Sequence, residues 1–181
     1  MRPVPGLLAV IDMQRVFADP DSPWAAPRYA EAAAGVARLL PAFGGRVVFT
    51  RFLAPARPAG VWRAYYARWP FALQPPDAER WRLTPEFAGL GAPVLDAETF
   101  GKWTPELAAR LATGSRLVLA GVSTECCVLT TALAAADAGT EVVVVADACA
   151  GVDDEALHVL DLYRPLVRVT TVDELLGEGG P

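Results

Sequence analysis

Residues 116–147 read RLVLAGVSTECCVLTTALAAADAGTEVVVVAD. The first run, RLVLAG (116–121), is brief and apolar on both faces, the pattern of a strand covered on each side. The alanine-rich stretch after it predicts a helix over 124–138, with Ser123 or Thr124 as N-cap and Gly139 where a C-cap glycine belongs. A second β-branched run, EVVVVAD (141–147), completes a strand–helix–strand unit, which implies parallel strands joined by a crossover.

The alternation continues in both directions. LLAVID (7–12), RVVFT (46–50), PVLD (93–96) and LVRVTT (166–171) read as further strands. Helices are expected near 28–42, 104–112 and 153–163, with a short terminal turn at 172–176. The expected fold is α/β: three layers, with an open, mostly parallel six-stranded sheet of Rossmann-like order 3-2-1-4-5-6 and helices on both faces. At 181 residues, one domain spanning 1–181 is expected.

Residues 52–92 break the rhythm. The segment holds Phe52, Trp62, Tyr65, Tyr66, Trp69, Phe71, Trp81 and Phe87, punctuated by Pro55, Pro58, Pro70, Pro75, Pro76 and Pro85. A connection this long is functional or carries its own short structure. A helix around 60–68 is expected, as a cover over one edge of a site or as a subunit contact.

Composition narrows the partners. The formal charge is −5 and no Lys/Arg run stands out, which argues against nucleic acid or an anionic membrane surface. No apolar run has the length of a membrane span and MRPVPG leads into no signal-peptide core, so a reducing cytoplasm is the expected location. GLG at 89–91 precedes a strand rather than following one, and no phosphate loop is present, so no nucleotide cofactor is expected. The single histidine, His158, lies in a stretch that reads as a surface helix, which excludes a zinc site built on two histidines.

Chemistry concentrates at the carboxyl ends of the strands, where open α/β sheets place their sites. Asp12 ends the first strand, Lys102 follows the third in ETFGKW, and Cys126 and Cys127 begin the helix after the fourth. A cysteine in a first helical turn meets unpaired N–H groups and the positive end of the helix dipole, which favour thiolate. A lysine nearby lowers the thiol further, and a carboxylate can accept its proton. Glu125 opposes ionisation unless it faces solvent, the direction expected of it. Each residue also has a plainer role: Asp12 as a turn cap, Lys102 as a surface lysine, the cysteines as packing.

LLAVIDMQRVF (7–17), TFGKWTPEL (99–107), AGVSTECCVLTTALAAADAG (120–139) and VVVADACAG (143–151) together resemble the isochorismatase-like cysteine hydrolases, which include nicotinamidases and N-carbamoylsarcosine amidases. The element Gly121–Val128 is the most specific part. By this resemblance the nucleophile stands three residues after Thr124, at Cys127, with Asp12 as general base and Lys102 beside them. The resemblance also implies an oxyanion hole from the backbone N–H groups of Ser123 and Cys127, and a cis peptide between Val122 and Ser123. About 100° around a helix separates Cys126 from Cys127, so only one of them is expected to face a substrate carbonyl. Cys126 and Cys149 are then small core residues.

The implied activity is cysteine amidohydrolysis of a small amide, ureido or N-carbamoyl substrate through a thioester, by a homo-oligomer. Nicotinamidases of this group hold a metal through an Asp-x-His segment after the second strand. Here that stretch is TRFLA (50–54), with Phe52 and Ala54 at the ligand positions, so no metal is expected. Relatives that cleave isochorismate lack the cysteine, so Cys127 points to C–N cleavage. Phe17, Trp24, Trp62 and Trp103 are candidate walls around a planar substrate. Two alternatives stay open: a non-catalytic binding or assembly module, and a redox sensor using Cys126 and Cys127, which lack the spacing of a resolving pair.

Overall fold

The structure, a computed structural model, describes residues 4–178, the side chains of 154, 155 and 157 excepted. The ends of the expected 1–181 domain therefore lie outside the described residues. Six strands, β1 (Leu7–Ile11), β2 (Val47–Phe52), β3 (Val94–Ala97), β4 (Leu117–Val122), β5 (Val142–Ala150) and β6 (Val167–Thr170), form one sheet. Every pairing is parallel, and the order is β3-β2-β1-β4-β5-β6. The strands of β1 and β4 are buried along their whole length, as their continuous apolar runs require.

Six α-helices are described: α1 (Arg15–Ala18), α2 (Tyr29–Phe43), α3 (Trp62–Arg68), α4 (Pro105–Ala108), α5 (Leu129–Asp137) and α6 (Val172–Gly177). Two cores flank the sheet. One packs α2, α6 and the aromatic 52–92 segment against Leu8, Val10 and Val143; the other packs α4 and α5 against Ala9, Ile11 and Val144. Neighbouring residues of a strand thus enter opposite layers, which is the period of two written into the sheet. Among the described residues no helix is long and apolar enough to cross a membrane.

The chain reverses side where β1 leads outward to β2 and β4 leads the other way, so a crevice opens beyond the ends of β1 and β4. Gly121 makes that junction tight. Its φ is +116°, and a Cβ there would stand 2.1 Å from Ile11 O, so only glycine lets β4 approach β1 this closely.

Three elements differ from the sequence reading. The expected helix 104–112 is only Pro105–Ala108, because Arg110 and Leu111 donate three residues back and the turn tightens out of α geometry. The stretch expected as a surface helix at 153–163 is 3-10 helix over Asp154–Tyr163, with His158 exposed. A 3-10 helix advances about 2.0 Å per residue against about 1.5 Å for an α-helix, so it returns the chain along the nine-residue β5 with fewer residues. The helix expected over 124–138 opens with one π turn, Thr124–Val128, before α5.

Candidate active site

Asp12 follows β1 with φ of +50°, a left-handed conformation rare outside glycine and enriched for aspartate. Thr50 of β2 holds it there: Asp12 N–H donates to Thr50 Oγ1 at 3.2 Å, and Thr50 Oγ1 donates to Asp12 Oδ1 at 2.6 Å. The other oxygen, Oδ2, lies 3.1 Å from Lys102 Nζ. Both side chains are almost wholly buried. Oδ2 has no aligned hydrogen-bond donor among the described residues, so this contact is chiefly ionic and leaves a lone pair for another donor.

Lys102 is fastened at both ends. Its Nζ donates to Thr99 O at 2.7 Å and stands 4.8 Å from the centre of the Phe52 ring, a cation–π contact. Its N–H donates to Thr131 Oγ1 at 2.9 Å, and Thr131 Oγ1 donates to Cys127 O at 2.6 Å. One hydroxyl on α5 therefore locks the lysine segment to the backbone of the cysteine turn. A buried ammonium beside a buried carboxylate is stable only with such partners.

Cys127 lies in the π turn, where Val128 N–H donates to Ser123 O at 3.1 Å and Cys126 N–H to the same oxygen at 3.2 Å. Ser123 stands at the N-cap position without a side-chain cap bond, and Thr124 Oγ1 is buried without a partner, so neither caps the turn as expected. The Val122–Ser123 peptide is cis. The Cys127 thiol lies close enough to Asp12 and Lys102 to feel both charges. Burial first, then Asp12, push the thiol well above its ordinary range, and Lys102 pulls the other way. The thiolate expected from the helix start is thus opposed by desolvation and by the Asp12 carboxylate, with Lys102 acting in its favour.

Cys127 closes the floor of a cavity of about 270 Å³. Phe17, Trp24, Phe52, Tyr65, Trp69 and Phe100 form its walls. A larger, more open depression of about 790 Å³ lies beside Arg15, Asp19, Phe71 and Arg80, away from the thiol. No cysteine lines it, and neither Asp12 nor Lys102 reaches it.

The isochorismatase-domain family model matches residues 6–174. The chain belongs to this family. Solved structures share the fold: a cysteine hydrolase from Pseudomonas syringae pv. phaseolicola 1448A has a TM-score of 0.80 at 18% identity, over 96% of this chain and 91% of that one. N-carbamoylsarcosine amidase from Thermoplasma acidophilum has a TM-score of 0.72 at 20% identity, over 96% and 98%. Nicotinamidase from Bacillus subtilis has 0.71 at 21%, over 91% and 98%. No curated protein matches the chain by sequence comparison. Identities this low carry the fold and nothing finer.

Within this isochorismatase-family chain, Asp12, Lys102 and Cys127 come together, as do the candidate walls Phe17 and Trp24. Trp24 is the hub of the wall, with Phe17 stacked at 6.2 Å and Phe71 edge-on at 5.0 Å. Trp62 stands behind the wall, against Phe52, Tyr65 and Phe100, rather than on the cavity. Trp103 packs on the opposite core with Leu107 and Leu111. The reason is that Trp103 follows Lys102 directly, and with Lys102 directed at Asp12 its neighbour is turned to the other side.

Two further expectations are corrected. Glu125 does not face solvent: it lines the cavity, and burial raises its carboxyl. Cys126 is not a core residue but half-buried on the cavity wall, because the π turn is wider than an α turn; its thiol is raised to about 11, chiefly by burial. Cys149 is buried, as expected.

The metal position implied by the resemblance to nicotinamidases is a poor fit here. Phe52 fills it with an aromatic ring, and among the described residues no group of three His, Cys, Asp or Glu is placed to hold an ion. Several supporting residues escaped the sequence reading: Thr50, Thr131, Phe100 and Gln14; Tyr65 and Trp69 belong to the segment expected as a cover over the site. Gln14 is buried; its Nε2 donates to Phe52 O and Trp81 O at 3.0 and 2.8 Å, and its Oε1 accepts from Phe52 N–H at 2.8 Å. A glutamine just after a buried strand was the available signal, since such a group must find backbone partners.

Proposed function

We propose that this protein is a cysteine amidohydrolase that cleaves the C–N bond of a small amide or ureido substrate. The observation that carries the reading is the buried Asp12–Lys102 ion pair beneath Cys127, at the floor of an aromatic cavity. The N-carbamoylsarcosine amidase and nicotinamidase of the same fold support it.

In this reading the substrate carbonyl sits over Cys127 Sγ. The sulfur forms a bond to the carbonyl carbon as its proton passes to Asp12, and the carbonyl electron pair moves onto oxygen. The oxyanion donors are the backbone N–H groups of Ser123 and Cys127 that the family resemblance implies, neither of which is among those that Ser123 O engages, Cys126 and Val128. The tetrahedral adduct re-forms its carbonyl, the C–N bond breaks, and the leaving nitrogen takes the proton from Asp12. Water then adds to the thioester, giving its proton to Asp12 and returning Cys127 as a thiol with a free carboxylic acid. Ureido substrates follow the same path and release a carbamate. Lys102 is the counter-charge throughout, because it lowers the energy of negative charge on either Asp12 or the sulfur.

The test is ammonia release from primary amides, N-carbamoyl compounds and ureido acids. Wild-type protein is expected to turn over at least one class, and Cys127→Ala none. No release from any class, or equal release by Cys127→Ala, contradicts the reading. Homo-oligomeric assembly and action in a reducing cytoplasm belong to the same proposal.

A further inference from the structure

The cavity over Cys127 has a charge pattern that hydrolysis itself does not require. Among the described residues Glu125 supplies its one acidic side chain, and no Lys, Arg or His lines it. Lys102, the nearest ammonium to the reacting thiol, is already committed to Asp12 and Thr99 behind the floor. The Glu125 carboxyl rests on Gly151, where a Cβ would come 2.3 Å from Oε2, so this glycine makes room for the acid. Oε2 is buried and makes no well-aligned hydrogen bond among the described residues, although the backbone N–H groups of Glu125 and Val152 lie near enough to the carboxyl to favour its charged form. A buried acceptor left without a well-aligned donor is rare and points to a missing one.

We propose that Glu125 selects the ligand: the cavity takes a small planar amide bearing a hydrogen-bond donor, best an ammonium, and disfavours amides bearing a carboxylate. The inference rests on reading the Cys127 cavity as an amidohydrolase site. An ammonium entering between Trp24, Tyr65 and Trp69 meets the negative faces of the rings and supplies the donor Oε2 lacks. It also supplies the counter-charge for a carboxyl that burial otherwise raises. A carboxylate in the same place meets ring faces and an acid, with no cation to offset them. The volume of about 270 Å³ suits a ligand of one ring.

Three matched probes test this: 4-(aminomethyl)benzamide, benzamide and 4-carbamoylbenzoate. Binding is read from quenching of Trp fluorescence in Cys127→Ala, which excludes turnover, since Trp24 and Trp69 line the cavity. The cation is expected to bind tightest and the anion weakest, with a gap of about tenfold or more. Adding Glu125→Gln is expected to shrink that gap towards unity. Equal or tighter binding of the anion overturns the proposal, as does failure of all three to bind or a gap that survives Glu125→Gln. The ranking in Cys127→Ala alone decides the matter if the double variant does not fold. Ammonia release by wild-type protein is measured alongside. Ranked binding without release defeats the amidohydrolase reading and leaves the charge preference; release without ranking does the reverse.

Discussion

Cys127 sits where two effects oppose each other. The ammonium of Lys102 stabilises a thiolate, while full burial and the Asp12 carboxylate disfavour one more strongly. In the proposed mechanism, proton transfer to Asp12 is therefore tied to the arrival of an electrophile. Cys149 makes the contrast plain, being also buried but paired in register with Gly121, with Asp147 as a lesser influence on its thiol. Its thiol is raised from 9.0 to about 12, chiefly by desolvation. The folded chain keeps that proton while the unfolded chain loses it. The stability contributed by Cys149 is thus complete below pH 9 and falls as pH rises from 9 towards 12, by about 1.4 kcal/mol per unit. Urea unfolding across pH 8–10.5 is expected to show a decline to which the raised thiols of Cys126 and Cys127 also contribute, and Cys149→Ala to make it shallower without abolishing it. An unchanged slope in the variant contradicts the assignment.

Single side chains join the elements that surround the site. Gln14 ties the end of β1 to Phe52 on β2 and to Trp81 in the aromatic segment. Gln14→Leu leaves an N–H and two carbonyls buried and unpaired, and is expected to cost about 3 kcal/mol or more in urea denaturation. A loss below about 0.5 kcal/mol means that water or rearrangement replaces those bonds. The strands, their order and the convergence of Asp12, Lys102 and Cys127 were legible because each depends on local pattern or on a motif: apolar runs, glycine stops, Gly121 to Val128. The π turn was not legible, since α and π turns share composition and differ only in which carbonyl each N–H reaches. Glu125 and Cys126 were misread for that reason. Trp62 and Trp103 were misread because a tryptophan packs equally well one layer behind a cavity as on it.

For the whole molecule, the parallel sheet sets the site. Asp12, Lys102 and Cys127 come from chain regions far apart, yet each follows a strand at the same edge of the sheet. The aromatic segment then roofs the space they define: Tyr65 on α3 and Trp69 just after it reach the cavity, and Phe52 touches both the cavity and the lysine. The central claim is that Cys127 Sγ becomes acylated within this enclosure. Rapid acid quench during turnover of an active amide, followed by mass analysis of the peptide carrying Cys127, tests it most directly. An acyl mass on Cys127, lost on standing in neutral buffer and missing in Asp12→Asn, is the predicted result. Sustained turnover with that peptide unmodified, or with the acyl group on Cys126, contradicts the account.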